Sequence, residues 1–283
     1  MKRNTMRRNF VPVLMVVLMA FCVTAYGAEA ANGEAVELTV FAAASMPETL
    51  TKISERYKEE CPNVELVFNF DSSGTLKTQI QEGAECDLFI SAGQKQMDQL
   101  DISADPKVNT EQLDYVKEDT RIDILENKVT LCVSDTSDAG VESFDDLAAA
   151  LEEGNILMAM GNSDVPVGQY TQKILAYYGL DEEELSSKGV ISYGSNVKEV
   201  TTQVSEGSVD CGVIYCTDAF SAGLTVTDSA TPKMCGPVIY PAAVVKNSSH
   251  PEEAAAFLDF LQTDECMEIF EGVGFSPIPQ NRG

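Results

Sequence analysis

The chain has 283 residues, 44% of them hydrophobic, which suits a packed core and excludes general disorder. Lys and Arg number 19 against 45 Asp and Glu, a net charge of −26. So acidic a chain is excluded as a binder of nucleic-acid phosphates or anionic membrane surfaces, and its single histidine, His250, excludes a His-rich zinc site.

Lys2, Arg3, Arg7 and Arg8 open the chain, Phe10 to Val23 is mostly apolar, and small residues follow through Ala31. This is the layout of a secretory signal peptide over residues 1–30, with an apolar run too short for a comfortable membrane span. Cleavage is expected after Ala30, with Gly27 as the alternative. The bulky Phe21 argues against lipid attachment at Cys22. No second long apolar run occurs, so the mature part reads as soluble. Seven of the eight Cys follow the leader. An odd number leaves at least one thiol unpaired in a monomer, and a small core residue is the default reading for each.

Strands then alternate with helices. Glu37–Ala44 reads as a strand and Met46–Glu60 as a helix with Leu50, Ile53 and Tyr57 on one face. Val64–Phe70 is a strand, Leu76–Glu82 a short helix and Cys86–Ser91 a third strand. The rhythm recurs as strand Lys128–Val133, helix Phe144–Leu151, strand Ile156–Met160 and helix Pro166–Tyr178. Strand Gly189–Tyr193, helix Val197–Glu206 and strand Cys211–Tyr215 follow. Strand Val238–Val245 and helices Glu252–Leu261 and Cys266–Glu271 close the chain. The pattern predicts an α/β fold of mostly parallel sheets flanked by helices. The charged stretch Tyr115–Ile124 and the Thr/Ser/Asp/Pro-rich stretch Thr225–Pro237 read as crossings between two lobes. The first lobe would be discontinuous, 34–116 plus 238–283, and the second would span 117–237.

Four strand-to-helix turns hold the polar groups of interest. In Ala44-Ser45-Met-Pro47-Glu48, Ser45 and Glu48 have capping-box spacing. In Asp71-Ser72-Ser73-Gly74, two hydroxyls and a glycine open a helix. In Asp164-Val-Pro166-Val167-Gly168, Gly168 is expected to let a ligand lie against the Val167 N–H. In Ser195-Asn196-Val197-Lys198-Glu199, Asn196 and Glu199 have capping spacing and Val197 takes an exposed first position. Each turn alone is satisfied as a helix cap. Together they suggest an anion cradle, because each helix start offers unpaired N–H donors and about +0.5 of an elementary charge. A fully ionised dianion has no proton to give, so a donor-only cradle matches it. Asp71 is expected to turn outward or to cap its own helix. GxSxG, GxxxxGK[ST], HExxH and GxGxxG are all absent. His250 reads as a loop residue.

These turns make the chain similar to the molybdate-binding proteins that feed bacterial ABC importers. The resemblance rests on Val40-Phe-Ala-Ala-Ala-Ser45 and Gly83-Ala-Glu-Cys-Asp-Leu-Phe-Ile-Ser-Ala92. Val165-Pro-Val-Gly-Gln-Tyr170, Gly212-Val-Ile-Tyr215 and Tyr240-Pro-Ala-Ala-Val-Val245 add to it. It implies a two-lobed periplasmic-binding-protein fold of type II with two hinge crossings. It also implies an oxyanion held by the hydroxyls of Ser45 and Ser73, the N–H groups of Val167 and Val197, and the Tyr215 hydroxyl. Molybdenum or tungsten would enter only as oxyanion through those residues, with no cofactor. The implied protein is an exported, monomeric, non-enzymatic receptor in the periplasm or at the outer face of the envelope, partnered by an ABC permease and not by nucleic acid. A sulfate or phosphate receptor is the alternative, and a secreted serine hydrolase using Ser45 or Ser73 a remoter one. Molybdate against tungstate and the disulfide pairing stay open.

Overall fold

The computed structural model describes residues 35–279, so the leader and Cys22 lie outside the described residues. The chain runs β1 (Val36–Ala43), α1 (Pro47–Glu60), β2 (Val64–Asp71), α2 (Ser73–Gln81), β3 (Leu88–Ile90), α3 (Gln94–Asp98) and β4 (Ile122–Asn127). It continues through β5 (Val129–Val133), α4 (Phe144–Glu153), β6 (Met158–Gly161), α5 (Pro166–Tyr177), α6 (Glu182–Lys188), β7 (Ile191–Gly194), α7 (Val197–Ser205) and β8 (Cys211–Tyr215). Next are α8 (Cys216–Ala222), β9 (Val226–Ser229), α9 (Pro232–Cys235), β10 (Val238–Val244), α10 (Pro251–Phe260), α11 (Asp264–Glu271) and β11 (Ser276–Pro277).

Two sheets form, in the orders β11-β4-β10-β3-β1-β2 and β7-β6-β8-β5-β9. Strands joined through helices pair in parallel: β2 and β3 on β1, and β7 and β8 on β6. The others are antiparallel: β10 lies on β3 and β4, β11 on β4, and β5 on β8 and β9. Each sheet is therefore mixed rather than mostly parallel. Every antiparallel pair includes a strand next to one of the two crossings, β4, β5 or β10, whereas the parallel pairs belong to strand–helix–strand units.

The first crossing is shorter and later than its charges suggest. Ile122–Asn127 is a strand of the first sheet, and only Lys128 separates it from β5 in the second. Residues 117–127 thus sit with the first sheet, not the second. The charges that resemble a linker have local partners. Arg121 pairs with Asp98 at 2.6 Å and Asp101 at 2.9 Å, and the Thr120 N–H closes a turn on the Lys117 carbonyl. The return crossing, between β9 and β10, contains α9.

The tail packs on the first lobe: the Tyr57 ring of α1 lies 4.9 Å from Phe257 and 5.0 Å from Phe260 of α10. Burying aromatic side chains of this kind stabilises the contact by about 1.5–3 kcal/mol each. Among the described residues all seven cysteines are free thiols; Cys61 and Cys216 are half-buried and the other five buried. No described helix is long and apolar enough to cross a membrane.

Candidate functional site

The carboxyl ends of the parallel strands converge between the sheets, the place where open α/β sheets bind ligands. A small cavity there, about 10 Å³ in volume, is lined by Ala43, Ala44, Ser45, Ser72, Ser73 and Ala92 from the first lobe and by Val165, Pro166, Val167, Val197 and Tyr215 from the second. All five residues singled out in the sequence therefore meet in one place. The lining contains no Lys, Arg, His, Asp or Glu.

The two serines are held differently from the sequence expectation. Ser45 does not cap α1, whose N-cap is Met46 without a side-chain bond. Its Oγ lies 2.9 Å from the Tyr240 hydroxyl, and Glu48, the supposed capping partner, meets Lys198 of the second lobe at 2.9 Å. In the second turn Ser72 takes the cap, accepting the Thr75 N–H at 3.1 Å, which leaves Ser73 for the cavity. The Ala92 N–H donates to Ser73 Oγ at 2.9 Å. A backbone N–H can only donate, so Ser73 accepts there and retains its own proton for another partner.

The second lobe contributes backbone. Val167 is the second residue of α5, behind Pro166, and Val197 is the first of α7. N–H groups in a first helical turn have no carbonyl one turn back. Asn196 caps α7 by accepting the Glu199 N–H at 3.0 Å, while the Glu199 carboxylate accepts the Ser195 N–H at 2.7 Å. The Val197 side chain is buried, not exposed, so only its N–H is in question as a ligand donor. Gly168 serves packing rather than access: a Cβ there would overlap the Gly161 and Asn162 carbonyl oxygens beneath the helix.

Tyr215 is buried, its ring edge-on to Tyr170 and Tyr240, and its hydroxyl donates to the Ala92 carbonyl across the cleft at 3.4 Å. Burial raises its pKa well above the ordinary tyrosine value, so it stays a donor. The lobes touch elsewhere too. Asn196 Nδ2 reaches Asp71 Oδ1 at 3.5 Å, and Asp71 also accepts the N–H of Ser72 at 2.7 Å, turning back on its own backbone. At Gly74 a Cβ would overlap the Asp164 carbonyl, so this glycine permits the approach of the two backbones.

Sequence reasoning missed Asp218, Asn127 and Tyr240, which lie behind the cavity. Asp218 follows Tyr215 in α8; it is buried, and its nearest cation among the described residues is Lys198 Nζ at 3.5 Å. Burial raises its pKa to about 7, with Lys198 opposing the shift. Tyr240 stands within the strand motif Tyr240-Pro-Ala-Ala-Val-Val245, and its hydroxyl has no local signal of its own. The hydrolase alternative lacks a base: His250 lines a separate groove with Glu37 and Asp87.

Residues 38–276 match the family model described as bacterial extracellular solute-binding protein. The chain belongs to this family. It is thus a solute-binding protein and not an enzyme. It is 34% identical over 243 residues to the putative ABC transporter substrate-binding lipoprotein YvgL of Bacillus subtilis, covering 85% of this chain and 86% of that one. It is 31% identical over 245 residues to the molybdate-binding protein ModA of Escherichia coli, covering 85% and 89%. Among solved structures, the substrate-binding domain of a putative molybdenum ABC transporter from Clostridium difficile is 34% identical. That alignment has a TM-score of 0.61 and covers 86% of this chain and 100% of that one.

Proposed function

We propose that the protein captures a tetrahedral oxyanion, molybdate or tungstate first, between its lobes and delivers it to the permease of an ABC importer. One observation carries the reading: two hydroxyls from one lobe, and a hydroxyl and two first-turn amides from the other, line a single cavity without a charged side chain. Each hydrogen bond from such a donor to a full negative charge contributes about 1.5–3 kcal/mol. The lack of basic side chains suits capture followed by release, because no fixed cation has to be separated from the anion when the lobes open. Relatives named for molybdate at about a third identity support the choice of anion. Sulfate has the same charge and shape, so discrimination against it falls to cavity size. In this reading residues 1–30 direct export, the protein acts as a monomer outside the membrane, and no cofactor or nucleic acid takes part.

Native mass spectrometry of freshly purified protein, followed by calorimetric titration with molybdate, tungstate, sulfate and phosphate, tests the reading. Tight binding of molybdate or tungstate with weak sulfate and phosphate binding is expected. Binding of none of the four would remove the oxyanion reading.

A further inference from the structure

One lysine bridges the two lobes beside the cavity. Lys198 follows Val197 in the first turn of α7, and its Nζ lies 2.9 Å from Glu48 Oε1 and 3.5 Å from Asp218 Oδ1. Glu48 belongs to the first turn of α1, just beyond Ser45, and Asp218 to the first turn of α8, just beyond Tyr215. The ammonium therefore ties together three of the turns that line the cavity. Among the described residues Glu48–Lys198 is the one ion pair that joins the lobes. The pairs made by Arg56, Arg121, Lys188 and Lys246 each lie within a lobe.

The two carboxylates are not equivalent. Asp218 shares the lobe of Lys198, so hinge motion leaves that contact intact. It is buried, and the titratable groups facing it are Lys198 of α7, Glu48 of α1, Cys216 of its own helix, Tyr215 of β8 and Tyr240 of β10. Lys198 is the one cation among them, and a buried carboxylate parted from its cation is costly, so Asp218 keeps the lysine in place. Glu48 is exposed and stands on the other lobe, so opening breaks its contact. An exposed ion pair usually gains little, because ordering two long side chains offsets the attraction. Here one of the two is already ordered before the lobes meet.

Resting on the oxyanion reading above for its use, we propose that Glu48 and Lys198 are positioning residues, a clamp that holds the Ser45 turn against the Val197 turn in the closed molecule, with Asp218 keeping the lysine poised while the lobes are open. Closing brings together two faces of a chain with 45 acidic and 19 basic residues, and a dianion between them adds to the repulsion. A cation at the seam opposes it. Lys198 is not part of the cavity lining, so opening parts it from Glu48 and not from the cargo.

The test reads closure directly, by single-molecule fluorescence transfer between dyes at two exposed positions, Ile102 of the first lobe and Tyr177 of the second. The anion-free protein is compared with Glu48→Gln and Lys198→Gln at pH 8.5, where Asp218 is ionised. In E48Q the ratio of closed to open molecules is expected to fall roughly threefold at low salt, within the range of such pairs. The difference should shrink at about 1 M salt, where the Debye length is about 3 Å. A carboxylate acting only through its negative charge would do the opposite: its removal would lessen repulsion between the lobes. An equal or larger closed fraction in E48Q therefore overturns the clamp. K198Q should lower the fraction as well, and adding E48Q to it should change nothing further, the mark of one shared interaction; effects that multiply would overturn the pairing. Should K198Q fail to fold for want of a cation beside Asp218, E48Q alone decides, since its exposed site leaves the melting temperature near that of the wild type. Closure is read without anion and molybdate binding by the wild type separately, so failure of the clamp and failure of the oxyanion reading are distinguishable.

Discussion

The two walls of the cavity present donors of different kinds. The first lobe offers the hydroxyls of Ser45 and Ser73, whose directions depend on the groups they already bond, the Tyr240 hydroxyl and the Ala92 N–H. The second offers the amides of Val167 and Val197, aimed by the helices themselves. A hydroxyl is a side chain and can be removed or turned round by substitution. An amide resists every substitution but proline. One wall is therefore tunable by substitution and the other fixed.

The largest expected effect strikes the joint between the walls. Gly74→Ala places a methyl group against the Asp164 carbonyl and holds the lobes apart, so calorimetry should show roughly 100-fold weaker molybdate binding, about 3 kcal/mol, near the upper range for overpacking. The melting temperature of the anion-free protein should change far less, because open lobes have room for the methyl group.

Val197→Pro tests the fixed wall. Asn196 has φ −153° and ψ 171°, close to the extended backbone that proline imposes on its predecessor, and proline is well tolerated at the first helical position. The substitution removes the N–H while α7 persists by circular dichroism, and molybdate affinity should fall by about 1–3 kcal/mol. Unchanged affinity would remove the Val197 amide from the site.

Asp218 tests what lies behind that wall. Its pKa is raised from 3.8 to about 7 by burial, so the folded state holds its proton more tightly than the unfolded chain does. The resulting stability is complete below about pH 4 and is lost as pH rises to about 7. Asp218→Asn should remove this slope and raise the melting temperature at pH 8 by roughly 2–4 °C, equivalent to about 1 kcal/mol. A parallel pH profile for wild type and variant would contradict the burial argument. The smallest effect belongs to Val197→Ala: the trimmed core costs stability, but the amide remains, and affinity should change by less than about 0.5 kcal/mol.

The sequence made some of this legible because some of it is local. A strand end followed by a helix start is written in consecutive residues, so Ser45, Ser73, Val167, Val197 and Tyr215 were recoverable from five short turns or strand ends. The chemistry that orients them is not local. Asn127 meets Thr217 and Tyr240 across 90 and 113 residues, and no spacing in the chain announces such contacts. Capping signals also misled, because Ser45 and Glu48 have the spacing of a reciprocal cap yet bond to Tyr240 and Lys198. β4 was hidden by charges whose partners, Asp98 and Asp101, lie some 20 residues earlier. β9 was hidden by its polar composition, Val-Thr-Asp-Ser at the edge of a sheet.

The meeting of Gly74 with the Asp164 carbonyl makes the jaw a calliper with a hard stop. Main chain against main chain has no rotamer to yield, so in the proposed role the gap would not shrink to grip a smaller tetrahedron. An undersized dianion would rattle, unable to touch both jaws at once, and the gauge would be set by a residue that never contacts the cargo.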